Sequence, residues 1–387
     1  MPKSYRRLPA QRSIIIGALL IAMAFSSVVL IDKASRSRGA KNVPGTRAFA
    51  ALDAKEIEVT SPLEAPLIPS VPGQILAPPP PPVVTERPAD SPEPALAVLP
   101  QVVVPPAPPP PATPPQGLDV YRGMGTWVDI YDYAIRDVMD IPAAVQSMAE
   151  RGVRTLYLQT GRWKDPQDIV SPAGVDLFLD SASKHGINVV AWYVPGFGNI
   201  DRDIRRSVIA TQYKTPAGNR FAGFAPDIET KEEVGMNTPR FNAGVAEYSR
   251  RLREALPNAV LGAIVLDAKN NLRAPAAWGS FPWPEIGKNY DVILPMAYWS
   301  VTKRRACGTQ YNALEYVKDV AALTEKLMGV RRPFHMIGGI ADCITADEVA
   351  GFVRGSKEVA IGGSLYDYPT IQSSTVKIWN SLTPLND

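Results

Sequence analysis

Beyond residue 123 the chain alternates between two hydrophobic rhythms. Short apolar runs rich in β-branched and aromatic residues, at 126–131, 155–159, 188–194, 221–228, 259–266, 292–298, 334–338 and 360–366, read as buried strands. Stretches with apolar residues three and four apart, at 142–151, 176–185, 203–211, 239–255, 284–288, 312–328, 346–355 and 375–382, read as the helices that follow them. Thr345 ahead of Ala346-Asp347-Glu348 is a helix start of the capping kind. Strand and helix taking turns is the mark of βαβ units, and a barrel of eight such units needs about 250 residues. Residues 117–387 supply that length. The pattern predicts an α/β fold, a (βα)8 TIM barrel; an open doubly wound sheet is the competing arrangement, because periodicity alone does not close a sheet.

A different pattern holds before the barrel. Residues 14–31 are apolar apart from Gly17, Ser26 and Ser27 and carry no charge, just long enough to cross a bilayer as a helix. Lys3, Arg6, Arg7 and Arg12 precede the run, and Lys33, Arg36, Arg38 and Lys41 follow it. This reads as a short cytoplasmic segment at 1–12 and a transmembrane signal anchor at 13–31. The bulk of the protein then lies outside the cytoplasm, on the cell membrane. Ala22-Met23-Ala24 has the small-x-small form of a signal cleavage site, so secretion after cleavage is the alternative. Residues 32–116 read as an extracytoplasmic linker. From 61 onward it is proline-rich and holds roughly half of the 39 prolines in the chain, which favours extended polyproline II over a packed domain.

The net charge of +3 is small for 387 residues and gives no nucleic-acid footprint. Tandem arginines such as Arg205-Arg206 and Arg250-Arg251 fit solvated helix faces. The two histidines, His185 and His335, form no metal-ligand set, no phosphate-cradling loop is present, and neither metal nor cofactor is expected. Cys307 and Cys343 follow predicted neighbouring strands and, in an exported protein, are expected to form a disulfide.

Active sites of such barrels sit at the C-terminal ends of the strands, so polar and aromatic residues there carry the candidate chemistry. Strand four ends Gly223-Phe-Ala-Pro-Asp-Ile-Glu229, and residues two apart on a strand point the same way, so Asp227 and Glu229 should face one pocket. Neighbouring carboxylates raise the proton affinity of one of them, which prepares a general acid. The bland counterpart is a salt bridge at the barrel mouth or a helix cap. Other strand ends offer Trp127 and Asp129, Gln159, Trp192 and Tyr193, Met296, Tyr298 and Trp299, and Tyr366 and Asp367. Flat aromatic faces with acids and amides between them suit sugar rings.

The Asp-x-Glu of strand four, with Met296-Ala-Tyr298 on strand six, resembles the chitinase-type barrels of glycoside hydrolase family 18. An Asp-x-Glu on strand four is also similar to the lysozyme-type barrels of family 25. The resemblance covers the barrel alone. It implies Glu229 as general acid, Asp227 as its orienting partner and Tyr298 as a group stabilising the reacting centre. Ala222 and Ala225 stand where the chitinase pattern has two further acids, and Trp192-Tyr-Val-Pro-Gly196 replaces its Ser-x-Gly-Gly. The expected function is a glycoside hydrolase acting on a cell-envelope or extracellular polysaccharide. The alternative is a non-catalytic carbohydrate-binding barrel tethered to the membrane.

Overall fold

The computed structural model describes residues 117–387, apart from 136–138, 303–310, 342–343 and 374–375. The proposed anchor at 13–31, the linker at 32–116 and the cysteine pair Cys307 and Cys343 therefore lie outside the described residues. No helix among the described residues is long and apolar enough to cross a membrane.

Eight parallel strands close on themselves in chain order, β1 against β2 through to β8 against β1. They are β1 (Gly123–Val128), β2 (Thr155–Arg162), β3 (Asn188–Val194), β4 (Gly223–Ile228), β5 (Gly262–Leu266), β6 (Val292–Met296), β7 (His335–Ile340) and β8 (Gly362–Tyr366). The closed barrel is borne out and the open sheet is not.

Around the barrel lie α1 (Ile141–Glu150), α2 (Pro172–His185), α3 (Ile200–Gln212), α4 (Thr238–Ala255), α5 (Ala268–Arg273), α6 (Pro275–Trp278), α7 (Trp283–Asn289), α8 (Ala313–Met328), α9 (Ala346–Val359), α10 (Tyr368–Ser373) and α11 (Val376–Leu382). Where boundaries differ from the sequence reading, capping explains most of it. Ser171 and Asn199 each accept a bond from the backbone N–H three residues on, which starts α2 and α3 earlier than apolar spacing suggests. Thr345 and Glu348 form the reciprocal capping box of α9. The short helices α5, α6 and α10 were not foreseen; each occupies a loop at the C-terminal ends of the strands.

Two apolar layers result from the strand alternation. Outward side chains meet the helices in the larger layer. Inward ones, including Trp127, Tyr157, Val190, Trp192, Ile264, Leu294 and Ile337, fill the barrel together with Tyr121 from the turn before β1. Trp127 stacks on Tyr157 with centroids 4.1 Å apart and meets Trp192 edge-on at 5.4 Å. Lower down, the His335 ring bridges the Tyr121 carbonyl and the Ser364 hydroxyl, and burial pulls its pKa down to about 4, so it sits there neutral. The interior is thus filled by side chains, which leaves the C-terminal mouth as the place of the cleft.

Candidate active site

A cleft of about 1130 Å³, counting space open to solvent, lies over these side chains at the C-terminal ends of the strands. Asp227 and Glu229 stand together on its wall. Strand β4 runs regularly through Ile228, so the inward parity of Ala225 passes to Asp227 and then to Glu229, the first residue beyond the strand. Asp227 is only 5% exposed, and its Oδ2 accepts a 3.1 Å bond from the indole N–H of Trp192 on the neighbouring strand.

Both carboxyls hold their protons unusually tightly. Burial pushes Asp227 well above the ordinary carboxylate range, and the charge of Glu229 adds to the effect. Glu229 is pushed up to about 7, first by its buried setting and then by the charge of Glu232. The sequence suggested that Asp227 would tune Glu229; the charge that raises Glu229 instead comes from Glu232, three residues on. Tyr298 is raised well above an ordinary phenol, first by burial and then by the charges of Asp227, Glu229 and Asp367, so it remains a neutral hydroxyl donor. A proton-holding carboxyl near neutral pH, beside a second acid and a phenol, is the equipment of general acid catalysis.

These shifts bear on stability. Between the ordinary value of 4.5 and about 7 the folded protein keeps a proton on Glu229 that the unfolded chain has released. Stability is therefore lost as pH rises through that window, by about 2–3 kcal/mol. Asp227 acts in the same direction. Urea midpoints at pH 5 and pH 8 should differ by less for Glu229→Gln than for the wild type.

Of the other residues singled out in the sequence, Gln159, Trp192, Met296, Tyr298 and Tyr366 line the cleft. Five do not. Trp127 is packed in the barrel plug, its indole N–H donating to Ser364 at 2.8 Å. Asp129 sits behind the cleft wall, accepting from the Tyr366 hydroxyl at 3.1 Å and from the Tyr131 amide at 2.8 Å. Asp367 accepts from the Thr370 amide at 3.0 Å at the start of α10. Tyr193 points away from the barrel because its neighbour Trp192 points in; its hydroxyl donates to Asp203 at 2.7 Å in the helix layer. Trp299 is fully buried and stacked on Phe352, with centroids 5.3 Å apart.

The cleft also has residues that the sequence reading passed over. These are Trp278 on α6, Met236 in the turn before α4, and Lys164, Thr230, Lys231 and Glu232; Tyr131, Arg162 and Trp163, which the sequence does place at the ends of the first two strands, form its β1–β2 side. Arg162 is held in place by Asp165 at 2.7 Å and by the Tyr131 hydroxyl. An ion-pair cluster fixes the rim loops: Arg202 binds Asp203 and Glu233, each at 2.7 Å, and Glu233 accepts from the Gly198 amide. That cluster ties the loop after β3 to the loop carrying Glu229. Asp129, Asp132 and Asp367 are all buried, with carboxylate oxygens within 4.8 Å of one another. They are close enough to share a cation, but Asp129 and Asp367 are spent on the internal bonds just described.

No protein-family model and no curated protein matches the chain. Solved structures do. The endo-1,4-beta-mannanase from Rhizomucor miehei superposes with a TM-score of 0.51 at 11% identity, over 69% of this chain and 94% of that one. The spore cortex-lytic enzyme SleL from Bacillus cereus gives a TM-score of 0.50 at 11% identity, over 69% of this chain and 74% of that one. At such identities the likeness is one of fold: the described residues form a closed (βα)8 barrel, the fold these two enzymes share.

Proposed function

We propose that the barrel is a glycosidase in which Glu229 protonates the leaving oxygen of a glycosidic bond. The observation that carries this reading is the pair Asp227 and Glu229, the first buried and the second half-buried at the mouth of the barrel, both with raised proton affinity. Glycosidic cleavage needs a carboxylic acid still protonated near neutral pH, next to groups that stabilise an oxocarbenium-like transition state. Glu229 supplies the proton. Asp227, held by the Trp192 indole, orients Glu229, and the neutral hydroxyl of Tyr298 meets charge developing at the reacting centre. Trp192, Tyr366 and Trp278 offer ring surface to the sugar. The apolar run at 14–31 and the prolines beyond 61 support a setting on the outer face of a membrane, with an envelope or extracellular polysaccharide as substrate.

The reading is tested by reducing-end release from a panel of soluble and particulate glycans. A general acid must be protonated, so turnover should decline as pH rises through about 7, the value at Glu229. Glu232→Gln removes the charge that raises Glu229 and should move this alkaline limb to lower pH by a few tenths of a unit to about one unit. An unmoved limb would take the titration away from Glu229.

A further inference from the structure

The glycosidase reading says nothing of which sugar is taken, and one cleft residue bears on it. Among the described residues three cations line the cleft: Arg162, Lys164 and Lys231. Arg162 is paired with Asp165, and Lys164 stands 3.5 Å from Glu232. Lys231 has no ion pair with any described carboxylate, although its side chain is as buried as a core residue. Its ammonium donates to the Ala277 carbonyl and, at 3.3 Å, to the Thr238 hydroxyl. It also lies 4.5 Å from the centre of the Trp278 ring. Burial alone acts on its proton affinity, lowering it, and no acid offsets this.

A buried ammonium is expensive unless an anion faces it. Two neutral acceptors take two of its three N–H bonds, no third hydrogen-bond acceptor is found for it among the described residues, and the residue lines the cleft. It also sits two residues from Glu229 and against an indole, where a sugar bound for cleavage would lie. We infer that Lys231 receives a negatively charged substituent of the glycan, so that the cleft is built for an acidic polysaccharide whose sugar unit stacks beside Trp278. The inference rests on the glycosidase reading for the place of the sugar. A uronate carboxylate and a sulfate ester share the chemistry Lys231 would recognise.

The test is binding, measured by calorimetry on the full chain carrying Glu229→Gln, so that no ligand is consumed. The probes are oligogalacturonate, a sulfated galactan oligosaccharide, and the neutral mannohexaose and chitohexaose. An acidic probe should bind at least ~10-fold tighter than the neutral ones, the yield of one charge-assisted contact. Adding Lys231→Met should remove that advantage and leave neutral binding within about twofold, and Lys231→Arg should retain most of it. Which acidic probe is favoured separates carboxylate from sulfate. No preference for either acidic probe overturns the inference, as does equal loss for all probes in Lys231→Met, which would make Lys231 a structural tie between Thr238 and Ala277. Should Lys231→Met fail to fold, Lys231→Gln keeps a hydrogen bond without charge and reads the same contrast. Lys231-dependent binding of an acidic glycan with no cleavage by wild type sinks the glycosidase reading alone. Cleavage of a neutral glycan, unaffected by Lys231, sinks the inference alone.

Discussion

Replacing Glu229 by glutamine should cut turnover on a cleavable glycan by at least ~10²-fold, because the amide keeps the shape of the carboxyl and has no proton to transfer. Binding should survive, since Trp192, Tyr298, Tyr366 and Trp278 still line the cleft. KM should therefore move little while kcat falls, the signature of an interaction made only in the transition state. The substitution removes a carboxyl whose charged form the site disfavours. Glu229→Gln should consequently be as stable as wild type at pH 5 and more stable at pH 8. Loss of folding would point instead to a barrel-mouth salt bridge, and undiminished turnover would move the acid to another carboxyl, with Asp367 and Asp129 the next to test. Burial holds Asp367 at about 6.

Trp299→Ala should cost about 3–5 kcal/mol of stability, the usual toll for removing a buried tryptophan. The indole has no exposed surface, stacks on Phe352, and lies against Gly338. A Cβ added at Gly338 would come 3.1 Å from the Trp299 ring and 2.6 Å from Leu365. The space is therefore already full around the ring, and its loss leaves a cavity that rigid neighbours cannot close. Denaturant midpoints measure the cost. The folded fraction should bind glycans as wild type does, whereas a Trp299 in contact with sugar would lose affinity.

The fate of Trp299 shows what the sequence conveyed and where it stopped. Strand β4 is regular through Ile228, so the two-residue period carried Asp227 and Glu229 to one wall without further information. Strand β6 ends at Met296, two residues before the apolar run does. From there the backbone turns tightly, with Tyr298 N–H bonded to the Met296 carbonyl and Trp299 N–H to the Ala297 carbonyl, and Trp299 swings into the helix layer. Tyr193 was a failure of another kind, since adjacent strand residues cannot both face inward and Trp192 already did. Trp278 ends the short helix α6 and Lys231 sits in the loop after β4, and the two meet through tertiary contacts, the Lys231 ammonium over the Trp278 ring and the Thr238 hydroxyl on the Ala277 carbonyl, not through any local period. The eight-unit barrel itself was legible because its strand and helix periods repeat all along 123–387.

A glycosidase that uses Glu229 as its acid must release reducing ends, and do so only while that carboxyl keeps its proton. The most direct measurement is reducing-end release by the wild-type protein across neutral and acidic glycans from pH 4 to pH 9. Release is expected from at least one glycan, with an alkaline limb near the value of about 7 at Glu229. Tight binding of glycans with no release from any of them at any pH would contradict it, and would leave a carbohydrate-binding barrel.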